Sequence, residues 1–331
     1  MKLSIGIVGL PNVGKSTLFN IITKNQVLAA NYPFATIDPN LGTVSVPDER
    51  LSVLTTLSQS AKTIPAIVEF YDIAGLVKGA SQGEGLGNQF LSHIREVKAI
   101  VHVLRCFDSQ DIVHVHDSVD PLRDMDIINT ELALKDLDTL EKRIKKVEGD
   151  ARTGSKEAQK ELELLRILHK KLENGDSIVE YSTEEAVKNL ALLQAKKKLY
   201  LLNGSESDVS DELKTKIKEE GNDYIIADLS QSPDLGELIR KAYVILDLIS
   251  FFTTGEDETR AWTIKKGSKA PEAAGAIHSD FEKAFIRAEV ASYEDLIKSG
   301  SWTGAKQKGL LRVEGKEYIV QDGDIMNIRH G

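Results

Sequence analysis

The chain has 331 residues, 41% of them hydrophobic and 28% charged, with a formal net charge of -9. That is the composition of a globular protein able to bury a real core and long enough for two or three domains. The acidic balance argues against generic attraction of the whole chain to nucleic acid or anionic lipid, although a local basic face remains compatible with RNA.

Cys106 is the only cysteine, so no intrachain disulfide is possible and a reducing compartment is expected. It lies in the apolar run "AIVHVLRCF", the setting of a buried thiol. The N-terminal "MKLSIGIVGL" is too short an apolar run for a signal peptide, and nothing later would span a bilayer. A cytoplasmic protein without membrane contact is expected.

In chain order, Leu3 to Val8 reads as a buried strand stopping at Gly9. A helix is predicted to open near Gly14, with Leu18, Phe19, Ile21 and Ile22 on its core face. "IPAIVEFY", from Ile64 to Tyr71, reads as a second strand ending on Asp72; Ala99 to Cys106 is a third, Lys198 to Leu202 a fourth and Tyr224 to Ala227 a fifth. Strands alternating with helices imply an α/β fold with a mostly parallel sheet, in which ligands collect at the carboxyl ends of strands. Gly9, Asp72 and Asn203 all fall there.

From about Asn129 to Lys197 the pattern changes. Leu137, Leu140, Ile144 and Val147, then Leu165, Leu168 and Leu172, recur at gaps of three and four with charges between them. That is the period of two amphipathic helices, with "GDARTGS" (149–155) as the turn of an antiparallel hairpin. The charges read as solvated faces of a coiled coil; the alternative is a protruding arm that docks on a partner. After about Leu248, "GLLRVEGKEYIVQDGDIMNIR" shows alternating strands with turns at Glu314-Gly315 and Asp322-Gly323, preceded by a short helical turn and a strand in "AAGAIHSDFEKAFIRAEV". The domains so delimited are 1–128 with 198–248, an inserted helical arm at 129–197, and a sheet-rich module at 249–331.

Residues 9 to 17 read "GLPNVGKST", the G-x-x-x-x-G-K-[ST] pattern between a strand and a helix. Its glycines let backbone N–H groups from Asn12 through Val13, Gly14, Lys15, Ser16 and Thr17 converge on phosphate oxygens at the positive end of a helix. Lys15 would reach the β- and γ-phosphates, and the Ser16 hydroxyl would ligate magnesium. "DIAG", Asp72 to Gly75, supplies a second motif: Asp72 holds Mg²⁺ through a water and the Gly75 N–H approaches the γ-phosphate. Thr36, in "NYPFATIDPN" between the two motifs, is the threonine expected to close over the metal. The glycine-dense "GLVKGASQGEGLG" is expected to order mainly on ligand.

The base reader is sought in "LYLLNGSESD", from Leu199 to Asp208. Ras-like GTPases read guanine with Asn-Lys-x-Asp at a strand end, the aspartate accepting from guanine N1–H and the exocyclic amine. Here Gly204 stands at the lysine position and Glu206 at that of the acid, with Asn203 first and Ser205 between. The longer acid displaces the carboxylate. Each buried polar group left unsatisfied costs about 1–3 kcal/mol, and about 1.4 kcal/mol is tenfold in affinity. Loss of guanine selectivity is therefore predicted more firmly than gain of adenine selectivity, although Asn203 and neighbouring backbone remain able to bond adenine N7 and N6.

"GLPNVGKST", "NYPFATIDPN", "DIAGLVKGASQGEGLGNQFLSHIREV", "VLRCFDSQDIVHV", "NGSE" and "FFTTGEDETRAWTIKKGSKAPEAAGAIHSDFEKAFIRAEV" together resemble the YchF family, Obg-related ATPases within the translation-factor class of P-loop NTPases. The resemblance spans nearly the whole chain. It implies a G domain interrupted by a coiled-coil arm, a C-terminal TGS domain of β-grasp fold, ATP hydrolysis to ADP in preference to GTP through Asn-x-x-Glu, and ribosome binding. The chain reads to its end as "RHG", a few residues short of the final strand edge the family leads one to expect. The short loop at Asp228 to Ser230 suggests no base contact.

Ras-type sites orient the attacking water with a glutamine after D-x-x-G; here Leu76 stands there, as the resemblance implies. His114, in "DIVHVHDSVD", is the family-matched candidate, a neutral imidazole able to accept from water. His116 is a weaker candidate and His102 reads as buried in its strand. By its motif position, Asn12 would seat a K⁺ ion against the phosphates. Lys142, Arg143, Lys145 and Lys146 on the arm, and Lys265, Lys266, Lys306 and Lys308 near the C-terminus, are candidates for rRNA contact or simply solvated faces. A GTP-dependent switch and an RNA-binding module with incidental hydrolysis are the alternative functions. A monomer is the default.

Overall fold

A computed structural model describes residues 4–24, 40–73, 88–109 and 118–331. The chain divides into two compact units, Met1–Gly42 with Glu69–Leu235, and Thr43–Val68 with Gly236–Gly331. The elements run β1 (Ser4–Val8), α1 (Lys15–Thr23), β2 (Leu41–Ser45), α2 (Glu49–Ser58), β3 (Lys62–Ile64), β4 (Ile67–Asp72), α3 (Asn88–Glu96) and β5 (Ala99–Arg105). Then follow α4 (Pro121–Arg152), α5 (Lys156–Glu173), α6 (Glu185–Leu190), β6 (Lys197–Asn203), α7 (Asp211–Glu219) and β7 (Asp223–Ala227).

The first sheet has the order β2-β4-β1-β5-β6-β7. Its β1–β4, β1–β5, β5–β6 and β6–β7 pairings are parallel. Ile5, Ile7, Val101, Val103, Leu199 and Leu201 are fully buried, as expected of central strands covered on both faces. Parallel register carries Val8, Asp72, Arg105 and Asn203 to one rim, where Ile7 lies beside Asp72 and Arg105 beside Asn203.

The predicted strand from Ile64 to Tyr71 is two strands in two sheets. Pro65 offers no N–H to a ladder, and the chain breaks there: Lys62–Ile64 pairs with residues 258–260, while β4 starts at Ile67.

The predicted helical pair is present. α4 is 32 residues long, roughly 48 Å at 1.5 Å per residue. It starts at Pro121, with Asp120 accepting from the Arg123 N–H at 3.0 Å and proline in the first turn, rather than near Asn129. It also runs through to Arg152, so the turn shrinks to Thr153–Ser155 with Gly154 at φ +93°. Leu140, Leu165 and Leu168 are fully buried between α4 and α5. Arg143 clamps Glu161 with two bonds of 2.7 and 2.9 Å, and Lys142 pairs with Asp138 at 2.7 Å.

The root of this hairpin holds buried charge. Asp136 accepts from the Leu193 and Gln194 N–H groups at 2.9 and 2.8 Å. Burial pushes its carboxyl up to about 6 in spite of those bonds. Lys196 donates to Val97 O at 2.5 Å and Arg95 O at 3.2 Å, and Lys198 to Asn129 Oδ1 and Gln194 Oε1 at 2.8 and 2.7 Å. Desolvation holds both ammonium groups down at about 8.

The second unit adds α8 (Gly236–Ile245), β8 (Leu248–Thr254), β9 (Glu258–Lys265), α9 (Ala270–Ile277), α10 (Ser279–Lys283), β10 (Phe285–Ala291), α11 (Tyr293–Ser299), α12 (Trp302–Gln307), β11 (Arg312–Glu314) and β12 (Ile325–His330). Its sheet runs β11-β10-β12-β8-β9-β3, around a core that includes Phe251, Ala273, Phe285, Val290 and Met326. The last strand pairs with β10 from Ile325 to His330.

Two features differ from the sequence reading. "KEYIVQ" is not a strand; its one pairing is an isolated bridge between Ile319 and Lys269. Residues 43–68, assigned by sequence to 1–128, cluster with the C-terminal residues. There Arg50 joins Asp48 and Asp322 at 2.7 and 2.8 Å and lies over the Phe252 ring.

Asp136→Ala leaves two buried N–H groups without an acceptor, and a loss of about 2–4 kcal/mol is expected from their desolvation. Glu161→Ala, on the half-exposed face of the hairpin, is expected to cost under about 1 kcal/mol. Urea unfolding of the two variants beside the parent chain checks the ranking.

Candidate nucleotide site

β1 delivers the chain into the phosphate-loop sequence, and α1 begins at Lys15. Asn12 and Gly14 adopt left-handed conformations, at φ +62° and +105°. At Gly14 a glycine is required on two counts. Its φ is unfavourable for any L side chain, and a Cβ there would stand 2.5 Å from Asn203 Nδ2. Among the described residues no side chain caps α1 at Gly14, and the N–H groups of its first turn, including those of Ser16 and Thr17, lie at the positive end of the helix dipole.

Lys15 is 6% exposed and donates to Leu10 O at 2.5 Å. Burial pulls its ammonium down to about 8, against the raising influence of Asp72. A cation folded under its own loop, beside uncapped helix amides, suits a polyphosphate anion. Ser16 is exposed and Asp72 half-buried at the end of β4. The Ser16 hydroxyl and Asp72 carboxylate are hard oxygen donors, which fit an ion that keeps its waters and takes phosphate ligands, as Mg²⁺ does. Thr36, Gly75, Leu76, His114 and His116 lie outside the described residues.

On the next strand but one, Asn203 is 3% exposed. Its Nδ2 donates to Val13 O at 2.9 Å, and its Oδ1 accepts from the Leu229 N–H at 3.1 Å. Both ends of the amide are thus engaged inside the protein. One lone pair of the oxygen and one N–H of the amide remain beyond these two bonds, the groups that adenine N6 and N7 would need. The loop at 228–230, from which the sequence suggests no base contact, supplies that brace. Asp228 Oδ1 in turn accepts from Ser230 N–H and hydroxyl at 2.9 and 2.7 Å.

Gly204 donates its N–H to Ala227 O at 3.3 Å. Ser205 gives its N–H and hydroxyl to Asp208 Oδ2 at 2.8 and 2.6 Å. Asp208 is the residue sequence reasoning passed over. The signal was present as S-x-x-D in "SESD", a capping pattern. Glu206, 73% exposed, pairs with Lys214 at 2.6 Å.

Behind the site, His102 is buried and desolvation drives its imidazole down to about 3, so it is neutral. Arg105, only 1% exposed, donates from Nε to Phe107 O at 3.1 Å and from its terminal nitrogen to Ser109 O at 3.3 Å. Burial, with Asp208 and Asp124 nearby, pushes the Cys106 thiol up to about 12. Thiolate is the reactive form, so alkylation of Cys106 at pH 8 is expected to be at least tenfold slower in the native protein than in urea. Mass spectrometry over a labelling time course checks this.

Comparison with known proteins agrees with this geometry. Residues 4–146 match a family profile described as a 50S ribosome-binding GTPase, and residues 248–331 match the YchF GTPase C-terminal profile, described as a protein of unknown function. The chain is 50% identical to the ribosome-binding ATPase YchF of Bacillus subtilis and 46% identical to that of Escherichia coli O157:H7, covering 99% of each pair. The structure of the Schizosaccharomyces pombe YchF GTPase superposes with a TM-score of 0.88 at 39% identity, over 99% of this chain and 97% of that one. With such identity over almost the full length of its relatives, and with the phosphate loop and strand-end corner in place, the chain belongs to the YchF family.

Proposed function

We propose that this chain is a ribosome-associated P-loop nucleoside triphosphatase that hydrolyses ATP to ADP and phosphate in preference to GTP. The observation that carries the reading is the Asn203 brace, which ties the strand-end corner directly to the phosphate loop at Val13. A ligand cradled by the loop would have its base beside residues 203–206. There Gly204 and Glu206 replace the lysine and aspartate that a guanine reader needs.

In this reading Lys15 and the N–H groups of Val13, Gly14, Ser16 and Thr17 hold the phosphates. Ser16 and Thr36 are the Mg²⁺ ligands, Asp72 acts through a water, and Gly75 senses the γ-phosphate. The ion, when bound, neutralises charge across the β- and γ-phosphates. Asn12 is assigned to a K⁺ beside them. His114 orients the attacking water, the task Leu76 cannot perform. The helical hairpin within 129–197 is the coiled-coil arm and 249–331 the TGS domain; these present the nucleotide state to a ribosomal subunit. Monomeric, cytoplasmic behaviour goes with that work. Arg143 and Lys142 are engaged with acids of their own hairpin, which favours the solvated-face account of those two over rRNA contact.

A second reading, a GTPase, is favoured by the names of the Schizosaccharomyces pombe YchF GTPase and of the 50S ribosome-binding GTPase family that matches the N-terminal part. Calorimetric titration decides between them. ATP is expected to bind more tightly than GTP, and GTP at least tenfold tighter than ATP overturns the assignment. His114→Ala is expected to keep ATP affinity within about twofold while lowering turnover at least tenfold; equal turnover removes it from the mechanism. Lys15→Ala is expected to abolish the nucleotide dependence of ribosome co-sedimentation. Co-sedimentation of the parent chain that ignores nucleotide altogether would favour the pure binding module.

A further inference from the structure

The corner around Asn203 has few polar groups left for a base. Asn203 accepts one bond at its oxygen from Leu229 and gives one of its two N–H groups to Val13. The Gly204 N–H goes to Ala227 O, and the Ser205 N–H and hydroxyl go to Asp208. On the neighbouring turn, Asp228 and Ser230 bond each other. The outstanding feature is an ion pair, Glu206 with Lys214, at 2.6 Å.

The two partners are held unequally. Glu206 sits on the solvent side of the corner with 73% of its side chain exposed, while Lys214 on α7 is 19% exposed. The lysine is the more covered of the two, and Asp211 is a second acid at 3.7 Å. The pair therefore presents an acceptor and a donor side by side.

We propose that Glu206 and Lys214 together read the base, the carboxylate accepting from the adenine C6 amine and the ammonium donating to adenine N1. This deepens, and rests on, the reading of residues 203–206 as the base corner. The chemistry is a matter of order along the purine edge. Adenine shows a donor at C6 and an acceptor at N1; guanine shows an oxygen at C6 and an N–H at N1. A pair set in this order meets adenine with two complementary contacts. It meets guanine with a carboxylate facing an oxygen and an ammonium facing an N–H. Lys214 thereby supplies discrimination that a lone glutamate cannot, because a carboxylate by itself has no donor for N1.

The test is ATP and GTP affinity, by calorimetry on the full chain, for Lys214→Met, Lys214→Arg, Glu206→Ala and the double variant Glu206→Ala/Lys214→Met. Lys214→Met is expected to weaken ATP about tenfold and GTP less than twofold. Lys214→Arg, which keeps a charged donor, is expected to restore most of the ATP affinity. The double variant is expected to be no worse for ATP than Glu206→Ala alone, since the two act as a unit. Thermal unfolding of every variant within a few degrees of the parent keeps the readout one of binding. Should Glu206→Ala collapse the ATP-to-GTP ratio while Lys214→Met leaves it untouched, the pair is overturned and the base corner stands. Should Lys214→Met weaken GTP more than ATP, the assigned order is wrong. Should Glu206→Ala leave the ratio as in the parent, the base lies elsewhere and both readings fall.

Discussion

The nucleotide site is organised by one buried amide. Asn203 receives the Leu229 N–H and donates to Val13 O, so a single side chain fixes three segments that sequence separates by up to 216 positions, from 13 to 229. The energetic logic is that of any buried polar group. Satisfied, it contributes modestly; deprived of one partner, it imposes a desolvation cost of about 1–3 kcal/mol on what remains. Gly14 follows from the same constraint, because a side chain there would occupy the space of the Asn203 amide. Asn203 fixes the spacing between the phosphate-loop sequence and the strand-end corner.

That role changes how specificity should be thought about. With one bond at each end of the asparagine amide given to the scaffold, discrimination between purines falls also to other groups with spare capacity at the corner. A carboxylate in a solvated position discriminates weakly, since water competes for it and salt screens it. A more covered partner changes this by reducing the number of arrangements the carboxylate adopts. Preorganisation of that kind raises selectivity without adding contact area. Asp208, by taking both polar groups of Ser205, does the same for the backbone of the turn.

Much of this was legible in the sequence. The parallel strands, the phosphate loop, the strand-end corner and the amphipathic hairpin all follow from periodicity and from motifs whose chemistry is local. What was not legible depended on partners distant in sequence. Pro65 splits an apparently continuous apolar run, but nothing local says that its first half, Lys62–Ile64, pairs with residues 258–260. The grouping of 43–68 with the C-terminal unit rests on contacts such as Arg50 with Asp322, invisible to any window. "KEYIVQ" alternates as a strand should, yet finds only one bridging partner. Lys214 reads as one of several helix-surface lysines until the chain folds Glu206 against it.

The buried charges at the root of the hairpin have their own consequence. Lys196 holds the two carbonyls at the end of α3, Arg95 O and Val97 O, and the Arg95 side chain reaches Thr139 on α4 at 3.1 Å. Asp136, one turn away on α4, holds the amides of Leu193 and Gln194 that lead into Lys196. α3 lies C-terminal to the "DIAG" segment in the chain. Charges this deeply buried do not exchange partners cheaply, because an ammonium that leaves its carbonyls must find others or return to water. A shift of α3 therefore has two outcomes: the bonds break at a cost of several kcal/mol, or the root of the hairpin moves with the helix. The second is the less costly, since packed elements joined by satisfied polar networks move as bodies rather than deform. The contacts sit near the middle of α4, at Asp136 and Thr139, so a tilt imposed there would be carried along the remaining 13 residues to Arg152, about 20 Å at 1.5 Å per residue.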